Sequence, residues 1–319
     1  MLHWSDPDAT PSELTPCVAT FGNFDGVHRG HRAILDELVR QGRDRGLPVV
    51  AVTFDPHPAA VMHPEHAPEI IAPGRLRDEL LEEAGVDGVL VLPYTLEFAR
   101  TSAVDYVVGT FVEGLDAQVL VVGADTKGFG ADYTGDVSLL RELAEEHDFA
   151  LVVIDDQGDG QRWSSSAVRA HLAEGDVTAA GEILGRPHRV VGEVVHGHHR
   201  GRDLGYPTAN LADDSLGLVP ADGVYAGWLT RLDRPEDAPD RRLPAAVSVG
   251  TNPTFEGQVR VVEGYVLDRT DLDLYDEQVA VDFVGRVRPT LRFDSVEELL
   301  EAMAEDVRRT REILGVPEG

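Results

Sequence analysis

Two histidines near the start of the chain have the type and spacing to act on a phosphate. His28 and His31 lie in the stretch TFGNFDGVHRGH (20–31), between an apolar run and a segment with helical periodicity. Histidines three residues apart on an opening helical turn can face one point, and the first N–H groups of a helix favour an anion. The pattern predicts a phosphate site whose imidazoles neutralise the charge that develops during attack. A purely structural pair and a zinc site with Asp25 as third ligand are the alternatives.

The segment TFDPHP (53–58) ends a second apolar run and offers an aromatic ring and an imidazole. Its two prolines are expected to hold the backbone extended. Phe54 and His57 could then receive a flat heterocycle by stacking. An ordinary loop is an equally good interpretation of this segment.

The segment WSSSAVR (163–169) has the composition of a helix start. Serine hydroxyls cap helices and donate hydrogen bonds, and Arg162 and Arg169 would add positive charge for a triphosphate. The alternative is an ordinary serine N-cap without a ligand.

The stretch GRDLGYPTAN (201–210) is the strongest local signal in the second half of the chain. Thr208 and Asn210 lie two apart, so in an extended segment they share one face. A hydroxyl and an amide oxygen together suit Mg²⁺ carried by a nucleotide. The loop before them is made pliable by two glycines and stiffened at its exit by a proline: Gly201, Gly205 and Pro207.

Glu263 lies within the strand-like segment VEGYVLD (262–268). A carboxylate there could accept the proton of an attacking hydroxyl group. A strand glutamate more often only faces solvent, so the role needs support from elsewhere.

The elements that must position these residues follow two patterns. From Val18 to about Leu184, short apolar runs alternate with amphipathic segments, which predicts βαβ units and a parallel sheet. Ligands of such a sheet lie beyond the carboxyl ends of its strands. The predicted later strands are 49–54, 88–92, 119–123 and 150–154, and the predicted helices lie near 29–45, 75–85, 102–114 and 136–147.

After residues 185–187 the pattern changes to strand-like runs separated by Gly, Pro and Asp turns. No amphipathic helix intervenes until 295–314, which predicts an antiparallel barrel or sandwich closed by one helix. We therefore expect two domains, 1–186 and 187–319. The predicted strands of the second are 190–196, 223–229, 246–249, 259–267 and 279–284.

Composition limits the cellular setting and the partners. A single cysteine excludes an internal disulfide and fits a reducing cytosol. Residues 1–16 lack the apolar core of a signal peptide, and no run of about 18 apolar residues could span a membrane. A net charge of −29, with Lys127 as the only lysine, should repel nucleic acids and anionic membranes. We expect a cytoplasmic protein with small-molecule ligands, whose oligomeric state is left open.

These motifs together resemble the bifunctional riboflavin kinase/FAD synthetases of bacteria, and the resemblance covers residues 17–314. It implies an α/β Rossmann-like nucleotidyltransferase domain for FMN adenylylation, followed by an antiparallel β-barrel riboflavin kinase domain with a C-terminal helix. It also implies ATP and Mg²⁺, with riboflavin, FMN and FAD as substrates or products. The matching pieces, in order, are GNFDGVHRGH, TFDPHP, SSSAVR, LGRP, GRDLGYPTANL, DGVY, VGTNPTF, VEGYVLD, DLY and RPTLRFDSVEELL.

The resemblance assigns roles to single residues. His28 and His31 would stabilise the α-phosphate of ATP while the FMN phosphate attacks it, and Glu263 would activate the ribityl 5′-hydroxyl. Thr208 and Asn210 would bind Mg²⁺ and the ATP phosphates. Phosphate and nucleotide contacts would come from Asn23, Arg162, Ser165 and Ser166. The flavin pocket would be lined by Phe54, Pro56, His57 and Pro58, and further ligand contacts would come from Asp125, Gly201, Arg202, Gly205 and Pro207.

One loop departs from the family pattern. The family usually has Gly-x-(Asp/Asn)-Phe-x-Phe-Gly, whereas 123–130 reads GADTKGFG, with a one-residue insertion and the first Phe replaced. Two other functions therefore stay open: a kinase whose N-terminal domain is impaired or transfers a different nucleotide, and a flavin-binding protein without turnover. Ser166 stands where threonine is usual, which keeps the hydroxyl.

Overall fold

The computed structural model describes residues 1–155, 163–196, 206–212, 214–254 and 257–318. The chain divides into two compact units, Met1–Ser164 and Ser165–Gly319. No helix in these ranges is long and apolar enough to cross a membrane.

The first unit is built on a six-stranded sheet in the order β1-β4-β3-β2-β5-β8, and every neighbouring pair is parallel. A small antiparallel hairpin, β6 and β7, lies outside that sheet. The strands are β1 (Leu2–Trp4), β2 (Cys17–Phe21), β3 (Val49–Asp55), β4 (Gly88–Pro93), β5 (Ala117–Gly123), β6 (Lys127–Phe129), β7 (Gly135–Asp136) and β8 (Ala150–Ile154).

Helices alternate with these strands, as the sequence predicts. They are α1 (Arg29–Arg45), α2 (Pro58–Met62), α3 (Arg75–Glu83), α4 (Ala103–Val107) and α5 (Val137–His147). The helix predicted over 102–114 is α4 followed by a π-helical stretch, Val108–Gly114. Short 3₁₀ turns occupy Pro7–Ala9, Ser12–Leu14, Pro64–His66, Phe98–Arg100 and Ala131–Tyr133.

Both faces of the parallel sheet are buried, which explains why its strands read as continuous apolar runs. Alternate residues of one strand enter different cores. Ala19 packs into the cluster that contains Phe111 and Leu140. Val18 packs into the cluster that contains Leu35 and Leu38 of α1.

The second unit is a closed barrel in the order β10-β13-β12-β11-β14-β9, with every pair antiparallel. The sequence pattern predicts either a barrel or a sandwich, and the structure shows a closed barrel. Its elements are α6 (Ser165–Glu174), α7 (Val177–Leu184), β9 (His188–Val195), β10 (Thr208–Leu211), β11 (Gly223–Arg231), β12 (Arg242–Thr254), β13 (Gly257–Val266), β14 (Gln278–Pro289) and α8 (Val296–Leu314).

Helices α6 and α7 group with the barrel. The Thr178 hydroxyl donates to the Val284 carbonyl at 3.3 Å, and Arg286 Nη1 donates to the Glu174 carbonyl at 2.9 Å. The compact units consequently divide before α6. The functional boundary between 186 and 187 stays a prediction.

Candidate active site

His28 and His31 lie at the start of α1, and their rings stack. The ring centroids are 3.7 Å apart, with 19° between the planes. His28 is the N-cap residue, and its Nδ1 accepts a hydrogen bond from the His31 backbone N–H at 3.3 Å. Because Nδ1 accepts, the neutral His28 ring carries its proton on Nε2 and can donate that proton to an anion.

His31 is held in its neutral form. Burial, and secondarily the neighbouring charge of His28, lower the pKa of His31 well below its usual range. Its Nδ1 atom is buried, and the described residues give that atom no hydrogen-bond partner. A buried polar atom without a partner costs about 1–3 kcal/mol.

The loop between β2 and α1 is strained and held by packing. Phe24, Gly26 and Val27 have φ values of 48°, 78° and 38°. Left-handed conformations are costly for bulky residues and occur most often at functional sites. The Phe24 and Val27 side chains are each only 1% exposed, so the core around them fixes this geometry.

Asp25 serves this loop structurally. Its Oδ1 accepts a hydrogen bond from the Ala72 backbone N–H at 3.0 Å, and its side chain is buried. Within the described ranges, no group of three or more His, Cys, Asp or Glu residues could hold a metal ion. The zinc alternative for the histidine pair has no support in that part of the chain.

An aromatic pocket of about 420 Å³ lies beyond the carboxyl ends of β2, β3 and β4. Phe54, His57 and Pro58 line it as the sequence predicts, whereas Pro56 is not one of its lining residues. Such walls suit a flat heterocycle. Further rings in the lining are Phe21, Tyr94, Phe98, Tyr106, Phe129 and Tyr133.

Arg77 of α3 positions the end of β3 beside this pocket. Its guanidinium is buried, and Nη1 donates to the Phe54 carbonyl at 3.2 Å and to Thr53 Oγ1 at 3.4 Å. Thr53 Oγ1 in turn donates to the Asn23 carbonyl at 3.3 Å. One arginine therefore ties the backbone at Phe54, through Thr53, to the loop between β2 and α1.

A second, more polar pocket of about 160 Å³ lies beside the histidines. His28, His31 and Asp125 line it together with Trp163. Asp125 also lines the aromatic pocket, so the two pockets share a wall. Gly30 makes the close packing possible, because a Cβ there would lie 3.1 Å from the His28 ring and 3.5 Å from the Trp163 carbonyl.

In the barrel, Asn210 of β10 pairs directly with Glu263 of β13, and Thr208 pairs with Tyr265. Directly opposed residues of antiparallel strands project from the same face, with Cβ atoms about 5 Å apart. The intervening Ala209 is buried, whereas Thr208, Asn210 and Glu263 are half-buried. The three side chains that the sequence predicts to act together therefore share one face.

Asn210 and Thr208 are further tied by hydrogen bonds. Asn210 Nδ2 donates to the Thr208 carbonyl at 3.2 Å and to Thr208 Oγ1 at 3.4 Å. These bonds use the amide NH₂ group, so Oδ1 is the atom suited to a cation. Both residues, with Pro207 and the loop 269–275, line a pocket of about 220 Å³, and Glu263 is not one of its lining residues.

The chain is similar to known proteins over most of its length. The family model described as FAD synthetase matches residues 10–168, and the model described as riboflavin kinase matches residues 184–314. A bifunctional riboflavin kinase/FMN adenylyltransferase from Escherichia coli (strain K12) is 37% identical over 303 residues, covering 94% of this chain and 93% of its own length. The one from Pseudomonas fluorescens is 38% identical over 297 residues, covering 92% of each.

This chain belongs to the bifunctional riboflavin kinase/FMN adenylyltransferase family. A solved structure described as a macrolide-efflux protein from Streptococcus pneumoniae is also similar, with a TM-score of 0.82 and 29% identity over 97% of this chain and 98% of that one. Membership confirms the fold class and the pair of transferase activities that the sequence predicts.

Some predicted family residues lie outside the described residues, namely Arg162, Gly201, Arg202 and Gly205. Ser165 and Ser166 are the first residues of α6. Their assignment to the nucleotide stays a prediction.

The loop that departs from the family pattern still contributes an aromatic wall. Phe129 of β6 lines the aromatic pocket and packs edge-on against Phe21, with ring centroids 5.3 Å apart. Gly130 (φ 71°) fits tightly, because a Cβ there would lie 2.5 Å from the Ala103 backbone. Despite the inserted residue, this loop therefore still places one aromatic ring, that of Phe129, in the pocket wall.

Sequence reasoning missed Arg77, Tyr94 and Tyr106. Tyr94 directly follows β4. Because ligands of parallel sheets bind beyond the carboxyl ends of the strands, this position could have predicted that Tyr94 lines the pocket. Arg77 and Tyr106 lie on helices, and nothing in their local sequence distinguishes them from ordinary surface or core positions. Only the packing of α3 brings Arg77 to the Phe54 carbonyl, and only the packing of α4 brings Tyr106 to the pocket.

Proposed function

We propose that FMN adenylylation takes place over the parallel sheet and riboflavin phosphorylation on the barrel face that carries Asn210 and Glu263. The register between these two residues is the observation that carries the proposal, since it sets the Glu263 carboxylate opposite Asn210, with Thr208 two residues away on the same face. Riboflavin and ATP give FMN and ADP at the barrel. FMN and a second ATP then give FAD and pyrophosphate.

For adenylyl transfer, we infer that the flavin ring occupies the aromatic pocket and the α-phosphate of ATP occupies the polar pocket beside it. An oxygen of the FMN phosphate attacks the α-phosphorus, the new P–O bond forms, and the bond to pyrophosphate breaks. His28 donates from Nε2 and His31 donates from its ring N–H, which stabilises the developing charge. The depressed pKa of His31 supports a neutral donor role.

For phosphorylation, Glu263 accepts the proton of the ribityl 5′-hydroxyl while that oxygen attacks the γ-phosphorus and ADP leaves. The oxygens of Thr208 and Asn210 are hard ligands of the kind that Mg²⁺ prefers, and they would hold it with the nucleotide. When bound, Mg²⁺ neutralises charge on the phosphates. The hydrogen bonds from Asn210 Nδ2 to Thr208 support this donor set, because they use the amide nitrogen and leave the amide oxygen as the atom that would hold the cation.

Riboflavin and MgATP, followed by chromatographic separation of the products, test the proposal. FAD is the expected final product, with FMN as a transient intermediate. FMN alone would mean that the adenylyl site is inactive. Neither product would leave only a flavin-binding function.

We also propose that the protein works in the cytoplasm on small molecules and not on nucleic acid. Cys17 is buried, and burial, with a smaller contribution from Asp116, raises the pKa of its thiol to about 12. A protonated, buried thiol fits a reducing compartment. Recovery of the untagged protein in the membrane or extracellular fraction of its source cells would contradict the placement.

A further inference from the structure

Lys127 is the only lysine in the chain, and it lines the aromatic pocket. It lies at the start of β6, and its side chain is exposed. The other titratable lining residues are one carboxylate, two histidines and three tyrosines: Asp125, His57, His63, Tyr94, Tyr106 and Tyr133. Among the described residues that line this pocket, Lys127 is therefore the only one with a permanent positive charge.

The Lys127 ammonium makes no ion pair with any described residue of the chain. Its register partner across the β6–β7 hairpin is Asp136. The Asp136 carboxylate is engaged elsewhere, since Oδ1 accepts from the backbone N–H groups of Ser138 at 2.8 Å and Leu139 at 3.0 Å to cap α5. In a protein of net charge −29, an uncompensated cation on a pocket wall is available for an anionic ligand.

For FAD synthesis, the aromatic pocket must bind FMN in preference to riboflavin. FMN and riboflavin have the same ring system, so stacking on Phe54 and its neighbours cannot tell them apart. They differ in the phosphate, which carries the negative charge. His31 is neutral because its pKa is depressed, and Asp125 repels an anion, so neither supplies net attraction.

We propose that Lys127 selects the phosphorylated flavin by pairing with the FMN phosphate. This inference rests on the proposed placement of the flavin ring in the aromatic pocket. The flexible four-carbon stem of lysine lets a point charge reach a phosphate at the pocket wall. Lys127 is a specificity-determining residue that touches the substrate but takes no part in the chemistry.

The kinetic test compares Lys127→Met with Lys127→Arg in the full chain. FAD formation is measured from supplied FMN and MgATP, with 5′-deoxyriboflavin as competitive inhibitor, since it has the ring and ribityl chain but neither a phosphate nor a hydroxyl to phosphorylate. We expect Lys127→Met to raise the KM for FMN about 10-fold, equivalent to about 1.4 kcal/mol. The inhibition constant of 5′-deoxyriboflavin should stay within about twofold, and Lys127→Arg should keep most of the FMN affinity.

A chemical test uses the single lysine directly. Acetylation by an N-hydroxysuccinimide ester is followed by mass spectrometry, with the amino-terminal amine, which pairs with Glu82 at 2.8 Å, as internal reference. FMN should protect Lys127 from acetylation, whereas 5′-deoxyriboflavin should not. The reference amine should be unaffected by either compound.

Three outcomes overturn the inference: an unchanged KM for FMN in Lys127→Met, an equal loss of affinity for FMN and 5′-deoxyriboflavin, or equal protection by both flavins. The second outcome would identify a structural role. All three are distinct from failure of the proposed function, in which the wild-type protein itself makes no FAD from FMN and MgATP.

Discussion

Asn210 and Glu263 face each other directly on β10 and β13 of the barrel. Thr208 lies two residues before Asn210 on the same face and is hydrogen-bonded to it. On the other side of Glu263, the register partner is Ser248 of β12. A carboxylate is thus flanked across three strands by side chains that bear oxygens, which is an arrangement suited to positioning a hydroxyl and a nucleotide-borne cation.

We expect Glu263→Gln to lower the kcat for riboflavin phosphorylation by about 10²- to 10⁴-fold, because general-base catalysis contributes that much. Gln keeps the size and one oxygen, so KM values should change little. Initial rates of FMN formation measure the effect. Glu193→Gln, an exposed glutamate on β9, is the matched control and should leave the rate unchanged. A wild-type rate in Glu263→Gln, with chemistry rate-limiting, would remove Glu263 from the mechanism.

Thr208→Ala should raise the KM for MgATP and also lower kcat, because the loss of a metal contact weakens the binding of MgATP in the ground state as well as in the transition state. Asn210 would in addition lose one hydrogen-bond partner. Thr208→Ser keeps the hydroxyl and should retain most of both parameters. Titration of MgATP at saturating riboflavin gives the measurement, and an unchanged KM in Thr208→Ala would contradict the ligand role.

His28→Ala should abolish FAD formation and leave FMN formation near wild type, because His28 lies in the first unit, at the start of α1, where we propose that the α-phosphate of ATP binds. The substitution also removes an N-cap, which costs about 1 kcal/mol. His28→Asn restores a capping side chain without the imidazole, so it should recover stability but not FAD synthesis. FAD production at the wild-type rate in either variant would exclude a catalytic role for His28.

The depressed pKa of His31 predicts how stability depends on pH. The unfolded chain, with an ordinary histidine pKa of about 6.5, binds more protons than the folded protein below that pH. Stability linked to His31 is therefore complete above about pH 6.5 and is lost as the pH falls below it. Thermal unfolding between pH 5 and 8 should show a flatter profile for His31→Asn. A profile as steep as that of the wild type in His31→Asn would exclude this linkage.

Residues 187–319 expressed alone should phosphorylate riboflavin, because they contain Thr208, Asn210, Glu263 and α8. The fragment 165–319 should unfold at a higher temperature, since it keeps α7, whose Ala180 and Leu184 are buried. Calorimetry and kinase assays on both fragments make the comparison. A folded 187–319 fragment without kinase activity would contradict the domain boundary.

Local pattern in the sequence was enough to predict most elements and the turn between β2 and α1. Apolar runs near 49–54 and 88–92 are strands because both sheet faces are buried, and the Gly-rich turn before His28 does begin a helix. These features depend on neighbours along the chain, so periodicity and turn residues reveal them. The spacing of Thr208 and Asn210 likewise predicts their shared face, as an extended segment requires.

The tertiary structure alone decided which distant residues meet. The pairing of Asn210 with Glu263 depends on strand register, and a slip of one residue would turn Glu263 to the other face. Arg77 reaches Phe54, and Tyr106 reaches the aromatic pocket, only through helix packing on the sheet. The barrel also depends on the pairing of β9 with the distant β14, where Glu193 lies opposite Gln278. Such contacts form between segments far apart in sequence, so local propensity and spacing do not encode them.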